Sequence, residues 1–477
     1  MVKVLPVDRT DAANRTITIV AACLATAMLM LDISVINTAL SKIAAGLDTG
    51  LTGLQWVVDA YTIPLAATVL TAGAIADRIG RRKLFLLGLV IFTVSSALCG
   101  AAGTIEVLVA SRAVQGIGAS MMFATALALI SQVTPVREDR VKALAAYGAA
   151  IGASFALGPF IGGSLTDLFG WRAIFLVNVP IGAAVIWITY RSVAEGRDPT
   201  PRRIDVPGQL SLIGGLFLLV LALLRGNADG WGSTGIVAAL VGAVLLLALF
   251  VIVEERRSEP MLPLRLLGER RFAGPQIAVF SIAASFFAVF LYLTLYLQTV
   301  LGMSPIQTGL VYLPGTFLVF VVSGMTAQFG QRYSAAKIAS LGLLFVSMGL
   351  ALALIIGVDS SWTALLPGLL VTSLGTGLFN PTGSALALNA LPDEQSGLAA
   401  GANDTFRQTG VAVGIAALGT LVPANAALGG NPQAYVDGLH HALIAGSVLA
   451  LVGAVATAWL LIPLGVPAEA EAVTEAA

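Results

Sequence analysis

The chain has 477 residues, of which 57% are apolar and only 11% charged, where a soluble globular protein carries roughly 25% charged residues. At about 20 apolar residues per spanning helix, that stock fills roughly 13 or 14 of them. A soluble enzyme, a disordered tail and a nucleic-acid binder are therefore poor fits, and 26 basic residues against 26 acidic ones leave no net charge to point at a partner.

Cutting the apolar runs at charge clusters predicts an all-α polytopic membrane protein with fourteen spans. They lie near residues 16–39, 54–76, 84–102, 105–132, 142–165, 173–190, 208–224, 235–253, 272–297, 306–328, 337–357, 362–386, 397–421 and 441–464. The first run is too long for the apolar core of a signal peptide and is expected to remain as the first span. Cys23 and Cys99 fall in apolar runs, far from any CxxC motif, and are expected to be small core residues. The connections are short, so any chemistry has to take place among the helices.

Lys and Arg in the loops set orientation. With the N-terminus in the cytoplasm, 21 of them fall inside, Lys3, Arg197, Arg202, Arg203 and Arg332 included, and 3 outside (Lys42, Arg172 and Arg225). Both termini are thus expected in the cytoplasm of a cell whose inner or plasma membrane holds the chain.

Internal repetition is faint. Gly73-Ala-Ile-Ala-Asp77-Arg78-Ile-Gly80-Arg81-Arg82-Lys83 closes the second span, and Gly324-Met-Thr-Ala327-Gln328-Phe-Gly330-Gln-Arg332 is a worn copy at the end of the tenth. Gly116-x-Gly118 in the fourth span is echoed by Gly375-x-Gly377 in the twelfth. An offset of eight implies two six-helix bundles, residues 1–198 and 259–477, with an inserted helix pair, 199–258, between them. Repeated bundles with a site at their interface are a common plan for secondary transporters.

A charge at the bilayer centre costs roughly 2.5–3.5 kcal/mol on insertion scales, so charges inside spans are the candidates for function. Asp32 lies about 24 Å along the first span and can bind a proton or a cationic substrate, or serve as a structural partner for Asn37 or a hydroxyl. Asp59 lies about 7 Å into the second span and shares a helix face with Gln55 and Thr62, which suits a wet vestibule or a plain interfacial carboxylate. Arg112 and Gln115 sit one turn apart in the fourth span; an arginine there stays charged, so it must be paired, either to tune a carboxylate or as structural glue. Glu106 is expected at the interface. Asp404 and Arg407, one turn apart in the thirteenth span, either neutralise each other or offer a second titratable site.

The fifth span carries a stripe of small residues, Gly148, Gly152 and Ala156, followed by Gly158-Pro159 and Gly162-Gly163. Small residues allow close helix approach and proline kinks a helix, which together suggest a pivot. His440 and His441 are adjacent and cannot converge on a metal. The sequence has no nucleophile elbow, zinc motif or P-loop, and hence no sign of ATP hydrolysis.

Together these segments resemble the major facilitator superfamily, and within it the fourteen-helix drug:proton antiporters. Gly73 to Lys83 is similar to the superfamily's loop signature between helices 2 and 3. Leu31-Asp32-Ile-Ser-Val-Ile-Asn37-Thr-Ala-Leu40, Arg112-Ala-Val-Gln115-Gly116-Ile-Gly118, Gly158-Pro159 with Gly162-Gly163, and Trp171-Arg172-x-Ile-Phe-Leu-Val-Asn178-Val-Pro180 resemble its motifs in helices 1, 4, 5 and the entry to helix 6. The second half resembles the family by span pattern and by Arg407-Gln408-x-Gly410. The resemblance implies alternating access by rocking bundles, driven by the proton gradient without a cofactor. It also implies that Asp77, with Gly73, Gly80, Arg78, Arg81 and Arg82, locks the cytoplasmic side in one state. The expected partners are protons, an amphipathic small molecule such as a drug or antibiotic and the lipid bilayer, with no nucleic acid, for a monomer in a bacterial membrane. An importer or exporter of one metabolite is the alternative; a membrane-embedded enzyme or a receptor fits less well.

Overall fold

The computed structural model describes residues 9–134, 137–196, 205–257, 260–329, 333–392 and 395–464. Each expected span has its helix. The first eight are α1 (Arg9–Leu47), α2 (Leu51–Ile79), α3 (Arg81–Ala101), α4 (Ile105–Val133), α5 (Arg137–Phe169), α6 (Ala173–Ser192), α7 (Val206–Asp229) and α8 (Thr234–Arg256). Then follow α9 (Arg270–Val300), α10 (Pro305–Phe329), α11 (Ala335–Leu352), α12 (Leu366–Leu388), α13 (Ser396–Gly419) and α14 (Pro432–Leu461). Among the described residues thirteen helices are long and apolar enough to cross a membrane. The exception is α13, whose apolar run is broken by Asn403, Asp404, Arg407 and Gln408. The proposed boundaries at 198/199 and 258/259, residues Lys3, Arg197, Arg202 and Arg203, and the Gly330–Arg332 end of the worn repeat lie outside the described residues.

α1 is 39 residues long against an expected 24, because residues 9–15 and 40–47 at its two ends remain helical; Arg15 pairs with Asp139 of α5 at 2.6 Å. α9 widens into π-turns at Ala283–Phe287 and Tyr296–Val300, on either side of the buried Tyr292. Such turns are frequent at functional sites.

α1 to α6 pack on one another, with α2 and α3 against α4, α1 against α5, and α6 against α3. α9 to α14 do the same, with α12 against α10 and α11, and α14 against α9 and α11. Two seams join the bundles, α5 on α10 and α2 on α13, and the offset of eight exchanges one seam for the other. α7 and α8 pack on each other, and α7 also lies on α2 and α13, so the inserted pair covers the second seam. Gln209 of α7 fixes it there, donating to the Ala67 carbonyl at 2.8 Å.

The paired glycines of α4 and α12 do equivalent work in opposite order. A Cβ on Gly116 would sit 2.3 Å from the Tyr61 carbonyl of α2, and one on Gly118 2.7 Å from the Phe92 nitrogen of α3. In α12 it is Gly375 that faces α11, 2.4 Å from the Gly342 carbonyl, and Gly377 that faces α10. Cys99 is buried as expected, but Cys23 is only half-buried, because its face of α1 is incompletely covered.

Candidate functional site

Five helices of the first bundle bring polar groups to one dry point. Asp32 of α1 and Arg112 of α4 are 2% and 1% exposed. Arg112 Nη1 pairs with Asp32 Oδ2 and also donates to Gln115 Oε1 at 2.8 Å. Arg112 Nε donates to the Val57 carbonyl of α2 at 3.1 Å, and the Tyr61 ring lies 4.2 Å from the guanidinium carbon. This reach depends on Gly116, where any side chain would push α4 off α2. Asp32 Oδ1 accepts from Gln115 Nε2 at 3.1 Å and from Asn178 Nδ2 of α6 at 2.9 Å. Ser96 of α3 accepts from the same two amides at 3.2 and 3.0 Å and donates to the Phe175 carbonyl at 2.9 Å.

The sequence placed Asp32, Arg112 and Gln115 among the candidates, and the fold brings them together. Asn37 is half-buried and stays outside the network. Asn178 and Ser96 are functional-site residues the sequence reading missed. The available signal was an amide-bearing residue in an apolar run, where a group without a partner costs several kcal/mol.

Asp59 is fully buried, and neither carboxylate oxygen has a hydrogen-bond partner. Its neighbours on the α2 face differ. Gln55 Nε2 donates across the bundle boundary to Tyr292 Oη at 2.8 Å, and Tyr292 in turn donates to the Ile415 carbonyl of α13. Thr62 turns back to its own helix, donating to the Val58 carbonyl at 3.3 Å.

Asp404 and Arg407 pair with each other on α13, Nε to Oδ1 at 3.1 Å with a second contact from Nη2. Asp404 is buried, with Oδ2 unpartnered, while the Arg407 side chain is 28% exposed and its guanidinium stands 6.0 Å from the Phe123 ring of α4. Next to the pair, Thr405 Oγ1 donates to the Ala66 carbonyl at 2.9 Å, closing the α2–α13 seam.

The profile of the Major Facilitator Superfamily matches residues 22–415. The chain belongs to this superfamily. It is a transport protein rather than an enzyme. Among its relatives, "Multidrug resistance protein Stp" of Mycobacterium tuberculosis is 36% identical over 86% of this chain and 77% of its own length. "Methylenomycin A resistance protein" of Bacillus subtilis is 34% identical over 83% of this chain and 85% of its own length. "Cephamycin export protein CmcT" of Amycolatopsis lactamdurans is 32% identical over 96% of both chains. Two solved structures share the fold. Tetrameric PepTSo2 superposes with a TM-score of 0.63 at 18% identity, covering 94% of this chain and 98% of that one. The human organic anion transporter MFSD10 gives 0.59 at 17% identity, covering 95% and 100%.

The superfamily's loop signature is well formed but acts within its own bundle. Asp77 meets Arg81 at 3.3 Å, while the Arg82 backbone nitrogen donates to Glu195 at 3.0 Å and its side chain to the Tyr190 carbonyl at 2.5 Å. Arg78 is exposed, and nothing lies within 4 Å of a Cβ built on Gly73.

The fifth-helix glycines divide between Gly152 and Gly158. A Cβ on Gly148 would meet open space, and on Gly152 only Phe320 at 3.9 Å. Beyond them contact is tight. A Cβ would lie 1.5 Å from Ser34 Oγ at Gly158, 2.6 Å from Thr38 Oγ1 at Gly162 and 2.3 Å from the Pro305 carbonyl at Gly163. Among the described residues neither Gly148 nor Gly152 of the small-residue stripe has a neighbour closer than 3.9 Å to such a Cβ in this structure. The close approaches fall toward the opposite end of α5, where α1 and α10 cross it. Among the described residues the close approaches of α5 to α10 thus fall at the end remote from the termini.

Proposed function

We propose that the chain is a proton-driven antiporter, working as a monomer in a bacterial cell membrane, that exports an amphipathic organic compound of the drug or antibiotic class. The observation that carries this reading is the enclosed Asp32–Arg112 pair. Asp32 is the titratable member; outside its own helix Arg112 also meets the Val57 carbonyl and the Tyr61 ring of α2 and, at 5.8 Å, the Phe175 ring of α6. A proton on Asp32 removes the charge that holds Arg112 but leaves the Val57 carbonyl and the Tyr61 ring in place. Loading at Asp32 is therefore felt at α2, one of the helices that join the bundles. The relatives' names, those of resistance and export proteins, support the outward direction and the substrate class.

In this reading residues 1–198 and 259–477 rock against each other, with 199–258 riding on α2 and α13. The basic loops keep both termini in the cytoplasm, so the tightly packed end of the α5–α10 seam faces outward. Gln55, Asp59, Thr62, Asn37 and Gln115 flank the substrate path. Asp404, steadied by Arg407, is the second acid. Asp77 with its arginines holds the cytoplasmic side in the opposite state, and Pro159 with its glycines is the pivot.

The test is substrate-induced proton release from the purified protein, with a substrate first found from growth across a panel of dyes, cations and antibiotics. Asp32→Asn should abolish release and uphill export while inserting normally. Release that survives in Asp32→Asn but disappears in Asp404→Asn would move the coupling site to α13.

A further inference from the structure

The signature at the end of α2 has a second copy that the offset of eight does not account for. Gly73-x-x-x-Asp77-x-x-Gly80-x-Arg82 and Gly163-x-x-x-Asp167-x-x-Gly170-x-Arg172 match at every defined position. Each aspartate stands two residues before its helix ends, at Ile79 and at Phe169. Each following glycine has positive φ, 117° at Gly80 and 83° at Gly170, a conformation that side chains resist. The arginines are reciprocal as well. Arg82, at the start of α3, donates to the Tyr190 carbonyl near the end of α6, and Arg172, entering α6, donates at 3.0 Å to the Ala102 carbonyl that ends α3. Helices α1–α3 and α4–α6 are therefore inverted copies, as in other transporters built from inverted repeats, and the two loops face opposite sides of the membrane.

The copies differ in what they touch. Among the described residues Asp77 pairs with Arg81, of its own bundle. Asp167 crosses to the other bundle, where its Oδ2 accepts from Ser304 Oγ at 2.7 Å and from the Ile306 nitrogen at 2.9 Å. Those donors form the first turn of α10, which Ser304 and Gln307 cap reciprocally, each backbone nitrogen bonding the other side chain at 2.9 and 3.4 Å. A carboxylate there meets the positive end of the helix dipole. Gly163 lets α10 start against α5, since its Cβ would lie 2.3 Å from the Pro305 carbonyl, whereas among the described residues a Cβ on Gly73 would meet nothing within 4 Å.

We propose that Gly163, Asp167, Gly170 and Arg172 form a second lock, at the face remote from the termini, which is made when the Asp77 lock is broken and broken when that lock is made. The proposal rests on the rocking-bundle reading above and adds the device that holds the outer side shut. Asp167 fastens α5 to α10; the glycines allow the approach and the turn; Arg172 ties the turn to α3 so that the α5 end moves with its bundle.

Spin labels at Gly103→Cys in the α3–α4 loop and Asp359→Cys in the α11–α12 loop, with Cys23→Ser, report the opening of that face without a transport assay. The parent should show mainly the short separation. Asp167→Asn should raise the ratio of long to short separations by roughly fivefold to tenfold, the scale of a charge-assisted contact that water partly screens. Ser304→Ala should move it less in the same direction, and Asp167→Glu should restore it. Asp77→Asn should shift the ratio the other way. An unchanged ratio in Asp167→Asn, in protein that elutes and melts like the parent, overturns the lock. So does a shift of the same sign in both aspartate variants, which would mean general loosening. If the parent separation never responds to pH or substrate, the rocking reading falls with it; if it responds and Asp167→Asn changes nothing, only the lock falls.

Discussion

The two acid–arginine pairs are alike in composition and opposite in construction. Asp32–Arg112 joins α1 to α4, draws in amides from α4 and α6, and touches α2, with both partners almost wholly buried. Asp404–Arg407 closes within one turn of α13, with the arginine part-exposed. A pair that bridges helices makes their relative position depend on charge; a pair on one helix neutralises itself locally. The difference locates the expected sensitivity to protonation in the first bundle.

Parallel substitutions break or sharpen this contrast. Arg112→Gln should have the largest effect. It leaves the buried Asp32 with two neutral amides and no counter-charge, a loss of roughly 3–5 kcal/mol, read as a large fall in the melting point of the detergent-purified protein and a loss of export. Asn178→Ala removes one of the two amides on Asp32 Oδ1 and should cost about 1–3 kcal/mol; a melting point equal to the parent's would remove Asn178 from the network. Asp59→Leu should act with the opposite sign, stabilising by about 1 kcal/mol because a buried carboxylate without partners gives way to an apolar side chain, while substrate preference changes. If the protein melts earlier, Asp59 has a partner that the structure does not reveal. Arg407→Gln should be the mildest, within about 1 kcal/mol, because the arginine is part-exposed and the glutamine can still bond Asp404. Should Arg407→Gln match Arg112→Gln in cost, burial and bridging are not what separates the two pairs.

Helix number and order were legible because a bilayer demands long apolar runs, and the charges that interrupt them are few. Asp32, Arg112 and Asp404 were conspicuous for the same reason. Their partners were less so. Ser96 is a small polar residue of a kind that occurs in most of these spans, and nothing local marks it out; only the packing of α3 between α4 and α6 brings it to the amides. Asn178 stood in a quoted motif, but its role depends on α6 facing α1. Asp167 is in plain view, but its loop repeats one inside the same bundle, whereas the repeats legible in the sequence relate one bundle to the other. An inverted copy in the same bundle reads as an unrelated loop until the chain is seen to leave both helices through left-handed glycines.

The polar composition of α13 has a consequence for how the protein is made. Thirteen helices carry enough apolar length to enter a bilayer singly, and α13 does not. A charge at mid-membrane costs roughly 2.5–3.5 kcal/mol when a helix enters lipid by itself, and Asp404 and Arg407 reduce that only in part by pairing. During synthesis α13 therefore has to wait at the insertion machinery until α14 emerges behind it, or slide directly against α2 and α9 with Thr405 already seeking the Ala66 carbonyl. A chain cut after Gly419 should leave its last helix outside the membrane, open to proteases, although that helix is complete in sequence.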